Sequence, residues 1–283
     1  MKTKLKAFTL IELIVVMAIL MIMMAAIMKF FEPIRQVYND ATYYEQRRSV
    51  TNSMCKYTTE SIRYAKFLGI YSQSEVGVAA DPKAGAIAAV NRFKTSLANN
   101  EEGGVVKPII IKANTVINVI ELDYGKQYYA TSVYNNKNYD GRLYRTKGEW
   151  SVSGTSGTYT PTNTHLAFGQ GYYGANNYYM QWAYQGGKFE AYAASYDNGG
   201  TLNPDGVVVR SVTATVLKNL DLVSPGKVFF TDSNGNDTPD FTETGASLTT
   251  TGTNIPYGMM SSTQNYFLVW IDGDRAGNVE ITS

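Results

Sequence analysis

The chain has 283 residues, enough for one large domain or two small ones, and its 25 Lys and Arg against 24 Asp and Glu leave a charge of +1, so no global basic field calls for nucleic acid. A single cysteine, Cys55, excludes an internal disulfide framework and a thiolate-based structural zinc site, and a single histidine, His165, excludes intrachain His-pair metal motifs. Charged residues at 17% fall below the usual ~25%, while 22 Tyr and 25 Gly point to a body rich in strands and loops.

At the N-terminus, sixteen consecutive apolar residues run from Leu13 to Met28, and five of the ten methionines lie among them. Extending back to Phe8 gives 21 residues interrupted only by Thr9 and Glu12. As a helix this stretch is ~31 Å long and matches a hydrocarbon core of ~30 Å. Lys2, Lys4 and Lys6 precede it with no acidic residue, which keeps that end cytoplasmic and sends the rest of the chain outside. A cleaved secretory signal is the alternative. The apolar run exceeds the usual ~7–15 residues of such signals, and no small-residue cleavage site precedes a polar start. The helix is expected to be retained.

Glu12 singles this anchor out. A carboxylate inside a membrane costs a few kcal/mol and marks a nearby partner, unless it snorkels to the headgroups from near the helix start. Position alone leaves both readings open. The string Lys6-Ala7-Phe8-Thr9-Leu10-Ile11-Glu12-Leu13-Ile14-Val15-Val16 closely resembles the class III signal of type IV pilins and type II secretion pseudopilins. That resemblance implies a prepilin peptidase that cuts between Ala7 and Phe8 and N-methylates Phe8. It also implies that Glu12 meets the Phe8 amine of a neighbouring subunit, which removes the cost of an isolated charge and sets the subunit register. Ala7 departs from the glycine usual in the family.

Beyond Pro33, which is expected to bend the helix, Ile34, Val37, Tyr38, Ala41 and Tyr44 keep helical spacing. Met54, Cys55, Ile62, Ala65 and Leu68 resume the face, and Gly69 offers a stop. Glu45, Arg47 and Arg48 read as a solvated patch. The expected division is a leader at 1–7, an N-terminal helix at 8–68 with its membrane part at 8–28, and an extracellular head at 69–283, in one piece or two subdomains.

In the head, Asp81 and Pro82 fit the N-cap and first position of a helix whose face is Ala86, Ile87, Val90, Phe93 and Leu97. Strands are expected at Val105–Ile111, Val116–Asp123, Gln127–Tyr134, Tyr178–Tyr184, Phe189–Ala194, Val207–Leu217, Val228–Thr231 and Tyr266–Ile271. Residues 153–164, crowded with Gly, Ser and Thr, read as a surface loop. The expected class is α+β, a long N-terminal helix packed as a stem on a large β-rich head.

Catalytic signals are sparse. Gly169-Gln-Gly171-Tyr-Tyr-Gly174 matches G-x-G-x-x-G with no βαβ unit around it and reads as a glycine-aromatic loop. Ser53-Met-Cys-Lys56 and Ser224-Pro-Gly-Lys227 match S-x-x-K without its companion boxes. His165 reads as a surface residue. Tyr172, Tyr173, Tyr178, Tyr179, Trp182 and Tyr184 suit either strand packing or a stacking surface for sugars or a partner. No enzyme is expected.

One metal site is expected. Asp232, Asn234, Asn236, Thr238, Asp240 and Glu243 fall on positions 1, 3, 5, 7, 9 and 12 of a calcium loop, with Thr238 offering its carbonyl. Asp237 stands where that loop has glycine, and an Asn/Asp/Gly turn without metal is the other reading. By resemblance, the chain is expected to be a subunit of a type IV pilus or related filament, a minor one by its large head. Other pilin subunits, prepilin peptidase, the assembly machinery, the membrane and a surface or host receptor are the partners this implies. A pseudopilin of a secretion or DNA-uptake system, and a single-pass anchored adhesin or ligand-binding protein, are the alternatives.

Overall fold

The computed structural model describes residues 9–99, 101–102, 105–106, 108–123, 141–154, 156–174, 176–185, 188–196, 207–217, 229–231, 247–249, 265–273 and 279–281. The chain divides into two compact units, Met1–Gln46 and Arg47–Ser283. Helix α1 (Leu10–Ser61) is 52 residues long and supplies all the described structure of the first unit except Thr9. Pro33 lies inside it, and every residue from Leu10 to Gln46 is exposed.

The second unit begins at Arg47 and carries the last turns of α1. Their buried residues, Arg47, Val50, Thr51, Met54, Cys55, Thr58 and Thr59, recur at three- and four-residue spacing, so one stripe of the helix faces the core. After it come β1 (Ala65–Ser72), α2 (Gln73–Val76), α3 (Pro82–Ala98), β2 (Glu101–Glu102), β3 (Val105–Val106), β4 (Ile109–Ile111) and β5 (Thr115–Asp123). Then follow β6 (Arg142–Ser153), β7 (Ser156–Leu166), α4 (Gln170–Tyr173), β8 (Asn177–Gln185), β9 (Lys188–Tyr196) and β10 (Val207–Val216). Short strands β11 (Phe229–Thr231) and β12 (Ser247–Thr249), then β13 (Tyr266–Asp272) and β14 (Val279–Ile281), complete the order.

A five-stranded antiparallel sheet, β1-β13-β5-β6-β7, is the centre of the unit, and β10-β9-β8 forms a second antiparallel sheet. β13 shows how the layers arise. Its continuous apolar run, Tyr266 to Ile271, is buried on both faces, as an interior strand requires. Tyr266, Leu268 and Trp270 pack with α1 and the three-stranded sheet, whereas Phe267, Val269 and Ile271 pack with α3. Two cores on one sheet follow from the period of two. Asp81 caps α3 by accepting from the Ala84 N–H at 2.8 Å, with Pro82 in its first turn, and Ala86, Val90, Phe93 and Leu97 are buried as the spacing requires.

The α+β reading holds, with three corrections. The N-terminal helix closes at Ser61 rather than Leu68: Ala65–Ser72 is β1, paired with β13. Ala65, Leu68 and Ile70 reach one core and Phe67 and Tyr71 the other, so strand pairing along two apolar faces overrides a local helical pattern. Residues 153–164 are not a loop but carry the end of β6 and most of β7 in the β6–β7 hairpin. Its Thr residues alternate along an edge strand whose one fully buried side chain is Tyr159, with a hydroxyl that donates to the Ile117 carbonyl at 3.2 Å. Pro161 sits beside the bulge of that edge strand, a place where proline is tolerated in a sheet. Finally, Arg47 is no part of a solvated patch, being 3% exposed, although Arg48 is exposed. The strand expected at Gln127–Tyr134 lies outside the described residues.

Gly141, at the start of β6, is required there. Its φ is +79°, and a Cβ would collide with the Tyr178 carbonyl.

Candidate functional site

The candidate site is the start of α1. Helix N-termini leave N–H groups without intrahelical partners, and Thr9 and Glu12 meet that need as a capping pair. The Thr9 N–H and the Thr9 hydroxyl both donate to Glu12 Oε2 at 2.9 Å, and the Glu12 N–H approaches Thr9 Oγ1 at 3.4 Å. Both Thr9 donors fall on the one carboxylate oxygen Oε2. The negative charge also sits where the helix dipole favours it.

Around and beyond this carboxylate the helix is apolar on every side. Ile11, Leu13, Ile14, Met21, Ile22 and Met24 are each more than half exposed, a surface that water does not stabilise over such a length. The helix is long and apolar enough to cross a membrane. The geometry therefore presents one capped carboxylate at the head of an apolar rod. Ala7 and Phe8, the expected cleavage and methylation residues, lie outside the described residues.

A second polar cluster, in the head, joins residues that sequence reading kept apart. The glycine-aromatic string forms the single turn α4, and Tyr173 from it is fully buried. The Tyr173 hydroxyl accepts from the Leu143 N–H at 3.1 Å, and the Tyr178 hydroxyl donates to the Tyr173 carbonyl at 3.1 Å. Arg142 lies 4.5 Å above the Tyr173 ring and donates from both terminal nitrogens to the Asn176 carbonyl at 3.1 Å. Tyr172 sits 2.8 Å from the Ser53 hydroxyl and 3.0 Å from that of Ser49. Phe168 packs edge-on to Tyr57 at 5.3 Å. This segment thus clasps the last turns of α1. Burial raises the affinity of the Tyr173 and Tyr57 hydroxyls for their protons, which suits structural hydrogen bonds rather than acid-base work. The aromatic string Tyr172 to Trp182 is therefore core and clasp: Tyr173, Tyr178, Tyr179 and Trp182 are buried, and Tyr172 is partly exposed.

Arg47, Arg142 and Asn176 went unread in the sequence as a site. The signal was indirect, a pair of basic residues resuming an apolar face and an Asn after a run of Tyr and Gly. His165 is exposed on β7, with Nδ1 3.3 Å from Asn163 Oδ1. The Cys55 thiol is buried and donates to the Ser211 carbonyl at 3.4 Å, and desolvation pushes its pKa up to about 12. Among the described residues no group of three His, Cys, Asp or Glu is placed to hold a metal ion. The calcium residues Asp232, Asn234, Asn236, Thr238, Asp240 and Glu243 lie outside the described residues.

No curated protein and no solved structure matches this chain. A family model does match, over residues 2–28, and those residues include Lys2, Lys4 and Lys6, the Thr9–Glu12 cap and the all-round apolar helix just described. Residues 2–28 match the model of the prokaryotic N-terminal methylation motif, and so are similar to the class III signal of type IV pilins and pseudopilins.

Proposed function

We infer that this chain is a structural subunit of a type IV pilus or related filament, a minor one given its large head. The observation that carries the reading is the capped Glu12 carboxylate inside the methylation motif, at the start of a helix that is apolar on every side. In this reading prepilin peptidase removes residues 1–7, methylates Phe8 and leaves the subunit anchored in the membrane by its helix. Other subunits then receive it as the assembly machinery draws it from the lipid. Glu12 offers Oε1 to the Phe8 amine of a neighbour while Oε2 stays held by Thr9, so the pairing needs no rearrangement of the cap.

The role is a building role, with no catalytic step assigned to any residue. Intact-mass analysis of the mature protein tests the reading. A chain that begins at a methylated Phe8 supports it, and a chain that retains Met1 to Ala7 overturns it in favour of a single-pass anchored binding protein. Glu12→Val keeps the helix apolar and should still be cleaved, but should enter filaments at least about tenfold less well, since an unmet buried amine costs more than one hydrogen bond. Normal incorporation of that variant beside the native chain sinks the pairing.

A further inference from the structure

The exposed part of α1 changes character at Lys29. From Leu13 to Met28 every side chain is apolar, around the whole circumference. Past Lys29 the helix acquires a polar side, with Glu32, Arg35, Gln36, Asn39 and Asp40, while Phe30, Phe31, Ile34, Val37 and Tyr38 stay 73%, 63%, 62%, 69% and 71% exposed. A rod that is apolar all round fits lipid, and a one-sided stripe does not.

Two further observations fix where lipid begins and ends. At one end, Glu12 is committed to capping Thr9, and the other first-turn N–H groups need water or headgroups, since hydrocarbon leaves them unsatisfied at a cost of several kcal/mol. The helix start therefore belongs at the edge of the hydrocarbon. At the other end, Phe31 lies nineteen positions after Glu12, which is roughly 28 Å of helix against a hydrocarbon core of ~30 Å. Phe31 is followed at once by the charged Glu32.

We propose that the bilayer holds α1 between Glu12 and Phe31, with the Lys29 ammonium reaching outward to lipid phosphates and the Tyr38 ring lying in the outer headgroup layer. Helical side chains lean toward the N-terminus, so a Tyr about ten ångströms past the boundary returns its ring to the headgroups. Lys29, two residues inside the boundary and so only ~3 Å below it, has the reach to snorkel. This moves the outer edge of the span past Met28 and sets Glu12 at the inner edge, where a neighbour's amine reaches it without crossing lipid. The proposal rests on the membrane-anchored reading above.

Single cysteines test it in the full-length chain, held in membranes without its assembly machinery and probed with a membrane-impermeant maleimide. Cys55→Ser removes the native thiol. Met24→Cys, Met28→Cys, Phe31→Cys, Arg35→Cys and Tyr38→Cys are all surface positions that the fold tolerates. Arg35→Cys should label at least about tenfold faster than Met28→Cys, because hydrocarbon excludes both water and thiolate, with Phe31→Cys at the transition. Dissolving the chain in a water–alcohol mixture that leaves neither bilayer nor micelle should abolish the difference. Fast labelling at Met28→Cys, or protection that extends through Tyr38→Cys, overturns the boundary. Protection that survives removal of the lipid overturns it in favour of a protein contact covering the helix. Intact mass on the same samples reports processing at Ala7–Phe8 separately, so failure of the boundary is distinguishable from failure of the pilin-like reading.

Discussion

The guanidinium of Arg47 donates from Nε to the side-chain oxygen of Asn176 at 3.0 Å, with Arg47 only 3% exposed. That bond ties the first buried turn of α1 to the residue whose own carbonyl receives both terminal nitrogens of Arg142. Asn176 is thus the shared acceptor for two buried cations, and the helix meets the clasp at the residue where the second compact unit begins. A buried polar network of this kind is costly to break on one side only, because the remaining partner keeps its desolvation penalty.

Asn176→Ala should therefore destabilise the protein by about 1–3 kcal/mol, and Arg47→Ala by a similar amount. In a double-mutant cycle the two should be non-additive by at least about 0.5 kcal/mol, as expected for residues in contact. Chemical denaturation of the detergent-solubilised chain, followed by fluorescence of the buried Trp150, Trp182 and Trp270, measures all three variants. Additive losses would mean that the two side chains do not share one interaction.

Cys55 should be silent to thiol reagents in the folded chain and react on unfolding, since the thiol is buried and bonded to Ser211. Its pKa is raised by desolvation from 9.0 to about 12. A raised folded pKa means that the stability it contributes is complete below pH 9 and is lost as pH climbs toward 12. Between pH 9 and 10 the fall should approach, but not exceed, about 1.4 kcal/mol per pH unit from this one proton. Above pH 10 the buried hydroxyls of Tyr71 and Tyr173, also raised by desolvation, add to the slope. Denaturant midpoints across this range check the sign, and Cys55→Ala should flatten the part between pH 9 and 10.

Gly141→Ala should cost about 2 kcal/mol or more, combining a strained left-handed backbone with a clash against the Tyr178 carbonyl. A loss confined to a few tenths of a kcal/mol would show that the β6 start can shift without disturbing β8. Thermal unfolding by circular dichroism is sufficient to tell these apart.

The acidic stretch from Asp232 to Glu243 is proposed as a calcium loop on its ligand spacing. Millimolar calcium should raise the melting temperature of the chain, and Asp232→Ala should remove that rise, since sites as weak as ~10⁻³ M respond in this range. A melting curve that calcium leaves unchanged reduces the stretch to a turn.

The sequence by itself determined the parts whose physics is local. The run from Leu13 to Met28 announces a helix long and apolar enough to cross a membrane because length and hydrophobicity along one segment suffice, and Asp81-Pro82 announces a helix start because capping needs only neighbouring residues. Tyr266–Ile271 was legible as a strand for the same reason. Tertiary structure decided what depends on distant partners. Lys66–Ser72 carries an apolar pattern compatible with either period, and only pairing with β13 makes it a strand. The Thr-rich hairpin arm β7 has one fully buried anchor, Tyr159, and takes its form from the ladder to β6 rather than from composition. Arg47 looked solvated because charge predicts exposure; Asn176, 129 residues away, supplies the acceptor that allows its burial. No local pattern encodes a contact of that span.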